Sequence, residues 1–269
     1  MIGRTNVADA GSTVSAHFTQ IAQAYQQHWS EALLPASGQL VDRLPLANAR
    51  SVLEVGAGVG ALYPTLAAVA PQARIVLSDP AGGMLRLASP AADRAQACAD
   101  QLPFRDGSFD AAILAFMLQY VPDARHTLRE VRRVLRRGGH VGIAGWGTMA
   151  KSTAEQQWLT ALDAAGAPEA NRLATYFEAT DSTQKLCKIL SGTGYLDVEV
   201  HVLPWSDQPD LDTFLLRQQL LGASGRRLAA WDPTRCAEFV SCMRLQLATL
   251  PTEAFLDRSE VLAATARAP

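Results

Sequence analysis

"SVLEVGAGVGALYP", Ser51 to Pro64, puts an apolar run, one acid inside that run and three glycines into fourteen residues. Five residues with strand character, a glycine turn and a helical start near Leu62 make the opening of a βαβ unit. The turn fits the dinucleotide pattern G-x-G-x-x-A through Gly56, Gly58 and Ala61, and Asp79 follows about twenty residues later at the end of "RIVLSD". Alone, that pattern is a weak signal, and Glu54 argues against the usual ligand. From Glu54 to Leu62 there is no Lys or Arg. A carboxylate about 6 Å from a diphosphate costs on the order of 3 kcal/mol at an effective dielectric of 20. A ligand that brings a positive group to this strand end reverses the sign.

Outward from this unit, strand and helix patterns alternate. Upstream, "TVSAHFTQIAQAYQQHWSEALL" places Val14, Phe18, Ile21, Tyr25, Trp29 and Leu33 at helical spacing, which predicts one amphipathic helix from Val14 to Leu33. Downstream come "RIVLS", a helix around Met84 to Leu87, a short strand "AQACA", "FDAAILA", a long helix "ARHTLREVRRVLRR" stopped by the glycines before His140, and "HVGIAGW". Such alternation predicts an α/β fold with a parallel, doubly wound sheet. Two stretches break it and read as helical insertions: Gly147 to about Glu178, and Ser206 to about Leu250. Between them lie a capped helix, "TDSTQKLCKILSGTG", and a strand, "DVEVHVLPW"; "SEVLAATAR" closes the chain as a strand. The partition expected from this is an N-terminal lid helix over 1–34, a core over 35–147 continued at 179–205, cap insertions at 148–178 and 206–252, and a closing core strand at 253–269.

The chain has 269 residues, 48% hydrophobic and 19% charged, with a formal net charge of −2. That is ample material for a core, and it gives no long-range attraction to nucleic acid or anionic lipid, so a small-molecule partner is the expectation. Cys98, Cys187, Cys236 and Cys242 form no CxxC pair, so neither a metal site nor a disulfide framework is expected. No apolar stretch reaches membrane-spanning length and the N-terminus lacks a signal-like apolar region; a cytoplasmic protein is expected.

The motifs "VLEVGAGVG", "LSDPAGGML", "ADQLPFRDGSFD", "MLQYVPD" and "LREVRRVLRRGGHVGIAGW" resemble, in order, those of class I S-adenosylmethionine-dependent methyltransferases from about Ser51 to Trp146. "FTQIAQAYQQHW" resembles the N-terminal lid of the quinone- and biotin-pathway members. The resemblance implies a Rossmann-like sheet of seven strands whose last strand is antiparallel, and S-adenosylmethionine as cofactor, which carries an ammonium and a sulfonium but no phosphate. It implies that Glu54 sits near the methionine ammonium and that Gly56, Ala57, Gly58 and Gly60 allow close backbone approach. Asp79 would bind the ribose hydroxyls, Met84 would pack on adenine, Asp100 and Gln101 would face the adenine edge, and Ala115 would lie beside the methionine moiety. Pro80 departs from the small residue common in the family and removes one N–H donor beside the ribose acid.

The reaction so implied is transfer of a methyl group to an O, N or C nucleophile of a small molecule. His28 and His17 are the candidate bases, eleven residues apart and so about 16 Å along a helix axis, with Tyr25 and Gln119 as orienting groups. Arg217, Arg226 and Arg227 in the second insertion would suit a carboxylate on the acceptor. Two other readings stay open: a relative that keeps the cofactor but does not methylate, and a dinucleotide-dependent oxidoreductase, which Glu54 disfavours.

Overall fold

In the computed structural model, which describes residues 7–170, 173 and 177–269, the strand at the head of the decisive stretch is β1 (Ser51–Val55). It is preceded by α1 (Val7–His28) and α2 (Leu34–Val41), and followed by α3 (Tyr63–Val69), β2 (Arg74–Ser78), α4 (Gly82–Leu85), β3 (Asp93–Ala95) and β4 (Phe109–Ala115). Then come α5 (Ala124–Val134), β5 (Leu135–Ala150), α6 (Thr153–Ala164), α7 (Phe177–Thr180), α8 (Thr183–Gly192) and β6 (Leu196–Asp207). The chain finishes with α9 (Leu211–Leu220), α10 (Gly222–Leu228), α11 (Pro233–Leu247) and β7 (Asp257–Arg267).

The seven strands form one sheet in the order β3-β2-β1-β4-β5-β7-β6. β1 pairs in parallel with β2 and β4, with Glu54 opposite Leu77 and Ile113. β7 runs antiparallel to both neighbours, with Ala264 opposite Ile143 and Val200. This is the doubly wound, Rossmann-like sheet with an antiparallel last strand that the sequence implies. Side-chain alternation sends Val52 to a layer shared with Leu40 and Leu66, and Leu53 and Val55 to one shared with Leu128, Val131 and Leu186. Both faces are therefore covered, as parallel strands require.

Two clusters lie apart from these layers. Trp158, Phe214, Leu228, Met243 and Leu247 form a core built from α6, α9, α10 and α11, the helices of the two insertions; residues 171–172 and 174–176 of the first lie outside the described residues, as do residues 1–6. Ala22, Val59, Ala81 and Met84, with Phe18 and Tyr25, join α1 to the glycine turn and α4.

Several expected boundaries shift: α1 already runs from Val7, ahead of Val14, and β5 continues to Ala150, past the expected start of the first insertion at Gly147. α1 ends at His28, not Leu33, and residues Ser30–Leu33 form a 3-10 turn. Ser30 Oγ donates to the Gln26 carbonyl at 3.0 Å, and Pro35, which has no N–H, opens α2. β3 is Asp93–Ala95 and overlaps "AQACA" only at Ala95. α5 ends at Val134, four residues before the glycines. Leu135 pairs with Phe109 in the sheet and Arg136 pairs with Asp110 at 2.7 Å, which draws the arginines out of the helix.

Candidate functional site

The carboxyl ends of β1, β2, β4 and β5 open into one cavity of about 650 Å³, roofed by Val14, Ser15, Phe18, Tyr25 and Trp29 of α1 and the residue after it. The glycine turn is clipped to β2 by hydrogen bonds from the Gly56 and Ala57 N–H groups to the Ser78 carbonyl, 2.7 and 3.0 Å. Gly56 has φ +69°, and a Cβ there would stand 2.5 Å from Met117 Cβ, so only glycine lets the turn pass β4's exit.

Asp79, 9% exposed, is fixed through both carboxylate oxygens: the Ala81 N–H donates to one and the Gly58 N–H to the other, each at 2.8 Å. Burial raises its pKa against the pull of those two donors. Glu54 is buried at the end of β1, and burial together with the charge of Asp79 pushes its pKa up to about 8. Its Oε2 has no hydrogen-bond partner among the described residues.

The structure brings Gly56, Gly58, Asp79, Pro80, Met84, Asp100, Gln101, Ala115, Tyr25 and Gln119 into the cavity wall. Glu54, Ala57 and Gly60 stand behind it. Gly60 is needed by packing: a Cβ there would meet Ala88 Cβ and Leu77 Cδ1 at 2.9 Å. Pro80 loses a donor but supplies an acceptor, since its carbonyl receives Ser15 Oγ of α1 at 3.0 Å and Gln96 Nε2 at 3.1 Å. Gln119 is buried and donates to the Phe116 carbonyl at 2.9 Å.

Neither His17 nor His28 lies in the wall. At about 100° per residue they sit roughly 60–80° round the helix from Tyr25, on a side of α1 that meets α9 and α10. Arg217 Nε donates to the His28 carbonyl at 2.5 Å, and Arg226 and burial hold the His17 pKa below its ordinary value. Arg217 also pairs with Asp207 and stacks over Trp29, while Arg227 bonds Asp163 and the carbonyls of Ala167 and Pro168. Arg217 thus ties the cap to α1, and Arg227 ties the two insertions to each other. Burial raises the pKa values of both Tyr25 and Tyr120, so their hydroxyls stay protonated at neutral pH and act as donors.

A family model described as a methyltransferase domain matches residues 53–143, the segment that builds the glycine turn, Asp79 and the floor of the cavity. The core is a class I S-adenosylmethionine-dependent methyltransferase domain. Around that domain the chain is 34% identical over 160 residues to a demethylmenaquinone methyltransferase of Clavibacter sepedonicus, covering 54% of this chain and 62% of the relative. It is 30% identical over 179 residues to a malonyl-acyl-carrier-protein O-methyltransferase of Geobacter sulfurreducens, covering 64% and 66%. The chain spans about half the length of several curated relatives it matches. In fold it resembles phosphoethanolamine N-methyltransferase 2 of Haemonchus contortus in complex with S-adenosyl-L-methionine, with a TM-score of 0.56 and 18% identity over 92% of this chain and 56% of that one.

The residues of the methyltransferase domain fit that cofactor. A buried carboxylate oxygen without a partner suits a cation, and Asp79, held by two backbone donors, keeps lone pairs for a diol. Among the described residues no Lys or Arg lines the cavity, which is the wrong arrangement for a diphosphate.

Sequence reasoning passed over Phe116, Met117 and Trp146 in the wall. Their positions at the ends of "FDAAILA" and "HVGIAGW" were the available signal, since ligands in open α/β sheets bind outside the carboxyl ends of strands.

Proposed function

We propose that the chain is an S-adenosylmethionine-dependent methyltransferase acting on a small molecule through an O, N or C nucleophile. The observation that carries this reading is the pair of buried acids, Asp79 in the wall and Glu54 behind it, at a cavity lined by no described cation. Bound there, S-adenosylmethionine supplies a methyl group already activated on a positive sulfur. Glu54 and Asp79 would hold its ammonium and ribose hydroxyls, Met84 would pack on the adenine, and Asp100 and Gln101 would meet the adenine edge. Ala115 leaves room beside β4 for the methionine chain. Tyr25, from α1, and Gln119, through the Phe116 carbonyl, would orient the acceptor and exclude water, a contribution that reaches about 7–11 kcal/mol in well-aligned systems.

No histidine is among the described wall residues, so on this reading the acceptor arrives nucleophilic or loses its proton to water. Titration calorimetry with S-adenosylmethionine against NAD tests the cofactor. The first should bind and the second should not, and the reverse preference would overturn the reading. Detection of S-adenosylhomocysteine with any acceptor then separates methyl transfer from a relative that only holds the cofactor.

A further inference from the structure

The cavity is polar at one end and aromatic at the other. Asp79, Cys98, Asp100 and Gln101 follow β2 and β3, whereas Phe116 and Trp146 follow β4 and β5, and Trp205 closes β6 behind them. Trp146 stands 4.9 Å from the Phe116 ring and 5.0 Å, edge to face, from Trp205, which in turn lies 6.2 Å from Trp29. These rings are held from outside. Trp205 Nε1 donates to the Ala32 carbonyl at 2.8 Å, and the Arg217 guanidinium covers the Trp29 ring at 4.9 Å. Phe116 adopts φ +55°, a left-handed backbone that bulky residues rarely hold, at the point where its ring enters the wall. Opposite, Phe18 meets Tyr120 edge to face at 5.1 Å and Tyr25 at 6.2 Å.

We propose that the acceptor is a flat aromatic ring system, not an anion, seated against the aromatic wall of Trp29, Phe116 and Trp146, with the hydroxyls of Tyr25 and Tyr120 as donors to its oxygen or nitrogen substituents. This rests on the methyl-transfer reading for the word acceptor, but the ring seat itself does not. A rigid wall of packed rings favours a flat partner by offset and edge-to-face contact. The charged side chains among the described wall residues are Asp79 and Asp100, both at the far end. They would repel an anion. Of the three arginines that might have drawn a carboxylate, Arg217 and Arg227 are turned to Asp207 and Asp163, and Arg226, which bonds the Gly222 carbonyl, is not among the described wall residues.

The test is titration calorimetry on the full chain, with and without S-adenosylhomocysteine, using 2-naphthol, its non-flat analogue decahydro-2-naphthol and the anion 2-naphthoate. 2-Naphthol should bind about tenfold or more tightly than each of the other two. Trp146→Leu should lose about tenfold for 2-naphthol, and Trp146→Phe should recover most of it. Binding of none of the three, preference for the saturated or anionic probe, or indifference to Trp146→Leu would each overturn the proposal. The wild-type probe series stands even if Trp146→Leu does not fold. Asp79→Ala should abolish S-adenosylhomocysteine binding and leave 2-naphthol in place. If the wild-type protein binds 2-naphthol but not S-adenosylhomocysteine, the cofactor reading fails and the ring seat survives.

Discussion

Glu54 brings an acid into the end of β1 with Asp79 as its charged neighbour, and both facts hold a proton on it. Its pKa of about 8 lies above the ordinary value of 4.5, so between those limits the folded protein binds a proton that the unfolded chain has released. The stability this group contributes is full below about pH 4.5 and is lost as pH rises through 8. Glu54→Gln should therefore flatten the decline in stability from pH 5 to 8.5 and raise stability at the upper end by on the order of 3 kcal/mol, measured by urea unfolding at several pH values. A cationic ligand favours the ionised form. Binding of S-adenosylmethionine at pH 7 should then release a proton, seen as a heat that changes between phosphate and Tris buffers, and Glu54→Gln should remove that dependence. At Asp79 the effect is direct: a carboxylate bonded to two ribose hydroxyls is worth about 1.5–3 kcal/mol per bond, so Asp79→Ala should weaken S-adenosylmethionine by tenfold or more in calorimetry.

Among the elements, α1 rests on α4 through a backbone approach that tolerates no side chain. A Cβ at Gly83 would stand 2.7 Å from the Thr19 carbonyl oxygen and 2.8 Å from Thr19 Cα. Alanine suits a helix at position 83, so Gly83→Ala should leave the circular dichroism of the sheet intact. It should cost about 1–3 kcal/mol in thermal unfolding by forcing α1 outward, and weaken ligand binding in the cavity. The strand–helix alternation was legible from residue patterns because burial of both sheet faces imposes it, whereas the antiparallel last strand came only with the family resemblance. Boundaries were less so. The stripe from Phe18 through Trp29 to Leu33 continues in phase across the 3-10 turn, which hides the end of α1, and Arg136 reads as helical until its partner Asp110 is known. Glu54, Asp79 and the glycines were legible because a local turn fixes them. Phe116, Trp146 and Trp205 meet only through the strand order, which no single stretch of sequence states.

Over the whole molecule, the two clusters outside the sheet layers meet at α1, which faces the cavity with Tyr25 and the cap with its other side. Deleting residues 1–28 should leave the far-ultraviolet spectrum of the sheet largely unchanged while exposing Val59, Ala81 and Met84, detectable as binding of a hydrophobic dye, and should abolish turnover. Arg217 ties the last turn of α1, the ring of Trp29 and Asp207 at the end of β6 into one joint. Such a joint acts on how long a ligand stays rather than on how fast it enters. With one end of α1 pinned, ligands leave by whichever end swings free, and the pin governs how often that happens. Arg217→Met would keep the aliphatic stem against Trp29 while cutting the polar ties. In stopped-flow measurements it should speed the escape of S-adenosylhomocysteine severalfold and leave its rate of entry nearly unchanged.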